Sequence, residues 1–199
     1  MVTPEHNHNA ILQKIRDFAD QAHGDQRRKY TPDRYIVHPI RVMELCKSYT
    51  TNIAVLASAL LHDVLEDTPV TREEIRAFLQ GQMGDRVAAQ TVDLVTELTD
   101  VYVKSSYPRL NRRQRKAKET ERIKKTSAEA QTVKYADILD NCREIVQHDR
   151  DFAPVFLREC QDLLKAMDKG NSGLRAAAFK VIEDARRALA TTLKDTSTE

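Results

Sequence analysis

A chain of 199 residues is long enough to bury a real core and fits one domain, or one domain with a helical extension. Its 32 Lys/Arg against 30 Asp/Glu leave a net charge of only +2, which excludes a global electrostatic case for nucleic acid or membrane binding. No segment approaches the roughly 18 apolar residues of a membrane span, and the start, Met1-Val2-Thr3-Pro4-Glu5-His6-Asn7-His8, lacks an apolar stretch of signal-peptide length, so a cytoplasmic protein is expected.

Five Gly and six Pro among abundant Ala, Leu, Arg, Lys, Glu and Gln favour helices throughout, and no alternating β-branched run argues for a sheet. The expected fold is all-α: one compact multi-helix domain over 1–199, with a core at about 10–151 and closing helices at about 153–193. An opening helix spans Ala10 to His23, with Ile11, Ile15 and Phe18 near a 3.6-residue period. His6 and His8 before it read as a loose terminus. A turn-rich loop follows from Gly24 to Tyr35. Pro39 suits the first turn of a second helix, which places His38 at a helix start. The third helix, Asn52 to Leu65, is apolar nearly all round and belongs at the centre of the domain.

Thr71 with Glu74 forms a capping box for the next helix, which runs to about Leu79 before Gly81 to Gly84 break it. Val87 to Leu98 form another helix, and 99–110 a loop. A polar, basic helix runs from Asn111 to about Ser127. Thr132 to His148 carry Asp137 and Asn141 four apart on one face. Ala153 to Met167 and Ser172 to Leu193 close the fold, with a frayed tail from Lys194 to Glu199.

The chemistry concentrates at His62-Asp63, inside Ala59-Leu60-Leu61-His62-Asp63-Val64-Leu65-Glu66-Asp67-Thr68. An adjacent imidazole and carboxylate in an apolar helical run need a partner, and a divalent metal would be one. Glu66 and Asp67 lie four residues on, one helical turn along the same faces, where they can orient and deprotonate an attacking water. His38 in Val37-His38-Pro39-Ile40 and Asp137 in Lys134-Tyr135-Ala136-Asp137 complete an ordered set His…His-Asp…Asp. Two imidazoles and two carboxylates with open positions suit Mn, Fe, Co or Zn better than Mg, and a ligand set without thiolates is not a structural zinc site. Cys46, Cys142 and Cys160 are widely spaced and read as reduced packing thiols. Residues 109–125 hold nine Lys/Arg against Glu119 and Glu121, a run that reads either as a solvated face or as an anionic-substrate surface.

The set His38, His62-Asp63, Asp137 resembles the HD superfamily of metal-dependent phosphohydrolases. The phrases His-Pro-Ile, Leu-Leu-His-Asp-Val-Leu-Glu-Asp-Thr and Lys-x-Ala-Asp-x-x-x-Asn are similar to the hydrolase domain of RelA/SpoT proteins and the small alarmone hydrolases, from about Ala22 to Asp151. The resemblance implies one divalent ion, Mn2+, held by His38, His62, Asp63 and Asp137. It also implies an Arg-Lys pair on the guanine base, placed here at Arg28 and Lys29 or, because the following loop is longer and lacks a glycine, at Arg27. Asn141 corresponds to the residue that contacts the sugar.

Ile138, Asp140 and Glu144 depart from the family's usual Arg, His and Thr. Asp140-Asn141 and the upstream Asn111-Arg112-Arg113-Gln114-Arg115-Lys116 look more like an uncharacterised branch of HD proteins. Arg112, Arg115 and Lys116 are expected to meet substrate phosphates. The expected function is removal of the 3′-pyrophosphate from guanosine tetra- or pentaphosphate, by degradation without synthesis. The alternatives are an HD-type phosphatase acting on NADPH or a nucleoside monophosphate, and a regulatory module that binds a nucleotide without turning it over. The expected partner is a small phosphorylated nucleotide, not nucleic acid or membrane; oligomeric state is open.

Overall fold

Ten helices account for nearly all the regular structure among the described residues, 4–195, of the computed structural model; the only β pairing there is an isolated bridge between Arg27 and Arg34. They divide into two compact units, 1–101 and 102–199. Thr196 to Glu199, most of the expected frayed tail, lie outside the described residues.

The first unit holds α1 (Pro4–His23), α2 (Val37–Lys47), α3 (Ile53–Leu61), α4 (Val64–Asp67), α5 (Arg72–Met83) and α6 (Asp85–Leu98). As expected from its composition, α3 is central: every residue from Ala54 to Leu61 is buried, and α1, α2 and α6 pack around it. Asn52 caps it by accepting from the amide of Ala54. The Thr71–Glu74 capping box is present at the start of α5. Phe18 of α1 stacks on Phe78 of α5 with ring centroids 4.3 Å apart.

Three expectations need correction. His6 and His8 do not precede the first helix, because α1 already starts at Pro4 and takes in both. Gly81 does not break its helix; the break falls at Gly84, whose φ of 76° is the left-handed conformation that glycine tolerates. The third helix does not run on to Leu65 but stops at Leu61. The His62 imidazole Nδ1 lies 2.8 Å from the Ala59 carbonyl, the acceptor that a continuing helix would give to the Asp63 amide. Asp63 turns toward the bridge region (φ −97°, ψ −7°), and α4 restarts at Val64.

The second unit holds α7 (Arg112–Ile123), α8 (Ala128–His148), α9 (Ala153–Ala166) and α10 (Ser172–Asp195). Here α8 is central, flanked by α9 and α10, while α7 lies on α9. Asn111 and Gln114 form a second capping box at the start of α7, and Ser127 caps α8. The segment between α9 and α10 is tied to α8 through buried Gln131, which accepts from the Lys169 amide at 2.9 Å, and through Thr132 Oγ1, which accepts from the Asn171 amide at 2.9 Å.

Candidate metal centre

In the first unit the break after α3 presents three predicted ligands to one another. His62 is almost wholly buried, with its Nε2 3.1 Å from Asp63 Oδ2. His38, near the start of α2, is equally buried and brings its Nε2 to 3.8 Å from the same oxygen, the two imidazoles meeting edge to face at 5.2 Å. Tyr35 donates its hydroxyl proton to Asp63 Oδ2 at 2.7 Å. One carboxylate oxygen therefore faces two ring nitrogens.

This donor set fits a divalent cation. With Nδ1 directed at the Ala59 carbonyl, His62 turns Nε2 toward the Asp63 carboxylate oxygen, and a cation held between them would be ligated by both. Fixing a ligating histidine through its second nitrogen to a backbone carbonyl is the usual way to hold its tautomer and ring orientation.

Glu66 and Asp67 stand on α4 with exposed side chains. They are not a continuation of the α3 faces, because the helix is interrupted. Glu66 Oε2 accepts from the Asp100 amide at 3.1 Å, beyond the end of α6. Asp67 Oδ2 accepts from Gln26 Nε2 at 3.0 Å. Among the guanine-base candidates, Arg28 lies over the Tyr35 ring at 5.5 Å, Arg27 donates to the Pro32 carbonyl at 2.8 Å, and Lys29 donates to Tyr30 at 2.7 Å.

In the second unit Asp137 is buried on α8. Its Oδ2 pairs with Lys134 at 2.9 Å and its Oδ1 accepts from Asn141 Nδ2 at 2.6 Å, so the expected shared face of Asp137 and Asn141 is realised. His38, His62 and Asp137 are each buried and each carries a side chain of metal-ligating type. Cys142, next along from Asn141, meets Cys160; this contact, with burial, pushes the Cys160 thiol well above its ordinary range, as befits inert packing thiols.

The basic segment is more committed than its composition implied. Arg112 makes a two-pronged bond to Glu159 on α9 at 2.8 and 2.7 Å and lies over Phe152; the Glu159 carboxylate raises its pKa further. Arg115 donates to the Leu110 carbonyl. Lys116 lines the groove between α7 and α9, where Arg113 and Arg158 stand beside Glu121 and Asp162.

Sequence reasoning missed Gln26 and gave Tyr35 no role beyond the loop. The buried His23 ring supports the loop after α1, bonded to Gln26 and tilted against Tyr35. For Tyr35 there was a signal, its place three residues before His38; for Gln26, 41 positions from Asp67, there was none.

Comparison with known proteins agrees with this geometry. Over 141 residues, 68% of this chain and 70% of the relative, the sequence is 38% identical to the Mus musculus protein named guanosine-3′,5′-bis(diphosphate) 3′-pyrophosphohydrolase MESH1. A guanosine-3′,5′-bis(diphosphate) 3′-pyrophosphohydrolase of Aquifex aeolicus is 38% identical over 98 residues, 49% of this chain but only 13% of that protein. A solved structure described as a metazoan ortholog of SpoT that hydrolyses ppGpp matches with a TM-score of 0.73 at 26% identity, covering 90% of this chain and 97% of that one. The family model described as HD domain matches residues 16–169, which take in the buried His38, the His62-Asp63 turn and Asp137 on α8, and the chain belongs to the HD domain family.

Proposed function

We propose that this protein is a metal-dependent phosphohydrolase that removes the 3′-pyrophosphate from guanosine tetra- or pentaphosphate. The observation that carries the reading is the 38% identity, over 70% of its length, to a relative named for that activity, in a chain whose His38 and His62 converge on Asp63. His38, His62, Asp63 and Asp137 would hold one divalent ion, Mn2+ by resemblance to the family. Bound there, the ion would lower the pKa of water and polarise a phosphoryl oxygen.

The chain's own residues do the rest. Glu66 and Asp67 orient the attacking water and accept its proton, both carboxylates being steadied by amide donors, Glu66 by Asp100 and Asp67 by Gln26. The water oxygen bonds to the phosphorus attached to O3′, the P–O3′ bond breaks, and pyrophosphate leaves a guanosine 5′-di- or triphosphate whose O3′ takes up a proton. Tyr35 holds the Asp63 carboxylate in one orientation. Arg28 and Lys29, or Arg27, take the base, and Asn141 the sugar. Arg112, Arg115 and Lys116 take the phosphates that are not cleaved.

The test is product identity with Mn2+ and guanosine tetraphosphate. Pyrophosphate and guanosine 5′-diphosphate support this reading. Orthophosphate alone supports the phosphatase alternative, which Ile138, Asp140 and Glu144 on α8 favour because they replace the family's usual residues. Tight binding without turnover supports the regulatory module.

A further inference from the structure

From the end of α1 and the loop after it, a chain of side chains runs through His23 and Gln26 to Asp67. Gly24, at φ 55°, reverses the chain after α1, and two backbone bonds then clamp Gln26: its amide donates to the His23 carbonyl at 3.0 Å, and its carbonyl accepts from the Tyr35 amide at 3.0 Å. The side chain is held at both ends as well. Gln26 Nε2 donates to Asp67 Oδ2 at 3.0 Å, and Gln26 Oε1 lies 2.8 Å from His23 Nδ1.

Protonation follows from donor counting. An ionised carboxylate only accepts, so the Gln26 amide must turn its NH2 toward Asp67 and its oxygen toward His23. His23 Nδ1 must then carry a proton. The other nitrogen, Nε2, is buried and has no hydrogen-bond partner. The ring thus donates through Nδ1–H and lies tilted against Tyr35, 4.5 Å between centroids.

We infer that Gln26 and His23 are positioning residues for hydrolysis: His23 fixes the Gln26 amide, and Gln26 fixes the otherwise exposed Asp67 carboxylate in the orientation from which it acts on the water. The inference rests on the proposed role of Asp67. A carboxylate open to solvent samples several rotamers, and only one aims a lone pair at a given point. Misplacement by about 1 Å can cost as much as roughly 100-fold in rate, and partial loss of orientation correspondingly less. Substrate and metal affinity do not depend on that rotamer.

The experiment uses the full chain with Mn2+ and guanosine tetraphosphate. Gln26→Met keeps length and volume but removes the amide; kcat should fall about tenfold, with KM and Mn2+ affinity changed less than about twofold. In an Asp67→Asn background the same substitution should cost less than about twofold, because its effect passes through the missing carboxylate. Nitrogen-15 correlation spectra of the metal-free protein should show His23 protonated on Nδ1, and Gln26→Met should move it toward the Nε2-protonated form. An Nε2-protonated His23 in the wild type overturns the relay whatever the kinetics. A Gln26→Met effect of equal size with and without Asp67 overturns the positioning role and leaves the proposed function standing. Wild-type kcat in Asp67→Asn removes Asp67 from water activation and, with it, this inference.

Discussion

Gly170, in the turn between α9 and α10, has no room for a side chain. A Cβ built on it would stand 2.6 Å from Tyr135 Cε2, 2.8 Å from the Thr132 nitrogen and 3.0 Å from the Gln131 carbonyl carbon. Tyr135 is fully buried and the other two atoms belong to the backbone of α8, so none of the three can yield. Relief to ordinary contact requires the turn to retreat by roughly 0.5–1 Å. That stretches the Lys169 and Asn171 amide bonds to α8, both 2.9 Å, and leaves the buried Gln131 oxygen without its best donor. Crowding costs about 1–3 kcal/mol, and two weakened hydrogen bonds about 0.5–1.5 kcal/mol each. Gly170→Ala should therefore destabilise by about 3 kcal/mol, or about 6–12 °C in Tm for a chain of this size. Gly81, inside α5 with open space around its Cβ position, is the control: Gly81→Ala should stabilise by about 0.5–1 kcal/mol. Thermal and urea unfolding followed by helical circular dichroism reads both. A Gly170→Ala melting point equal to wild type, or a Gly81→Ala loss as large, would refute the steric argument.

The remaining expectations concern the site and its pH range. Chelation should abolish hydrolysis, and His62→Ala or Asp63→Ala should remove both metal, by elemental analysis, and activity; full turnover by metal-free protein would sink the mechanism. Glu66→Gln should bind metal and substrate yet turn over at least roughly 100-fold more slowly, whereas loss of metal from this variant would make Glu66 a ligand. Replacing Arg115 and Lys116 by Ala should raise KM for guanosine tetraphosphate about tenfold, given about 1.5–3 kcal/mol for a charge-assisted bond, with little change for a simple monoester; an unchanged KM would make the segment a solvated face. The Glu74 carboxyl is held below its usual range by the Thr71 amide and hydroxyl, so its contribution to the α5 cap is present above the ordinary Glu pKa and lost as pH falls through the lowered one. Glu74→Ala should thus cost more stability at neutral pH than in strong acid, read by thermal unfolding at the two pH values.

The helices, the α5 cap and the central place of α3 were legible in the sequence because they depend on short-range chemistry. Thr71 and Glu74 are three residues apart, and a helix apolar on every side has nowhere to go but inward. The candidate donors His38, His62-Asp63 and Asp137 stood out for a related reason: they are recognisable by residue type and order alone. What folding alone decided lies at longer range. The interruption at His62-Asp63, where the imidazole Nδ1 lies against the Ala59 carbonyl, is one that 3.6-residue periodicity does not register. Tyr35 reaches Asp63 across 28 positions, Gln26 reaches Asp67 across 41, and Arg112 finds Glu159 across 47. Each partnership depends on where a loop or a neighbouring helix comes to rest, and that is set by burial of the two cores, not by any local pattern around the residues that meet.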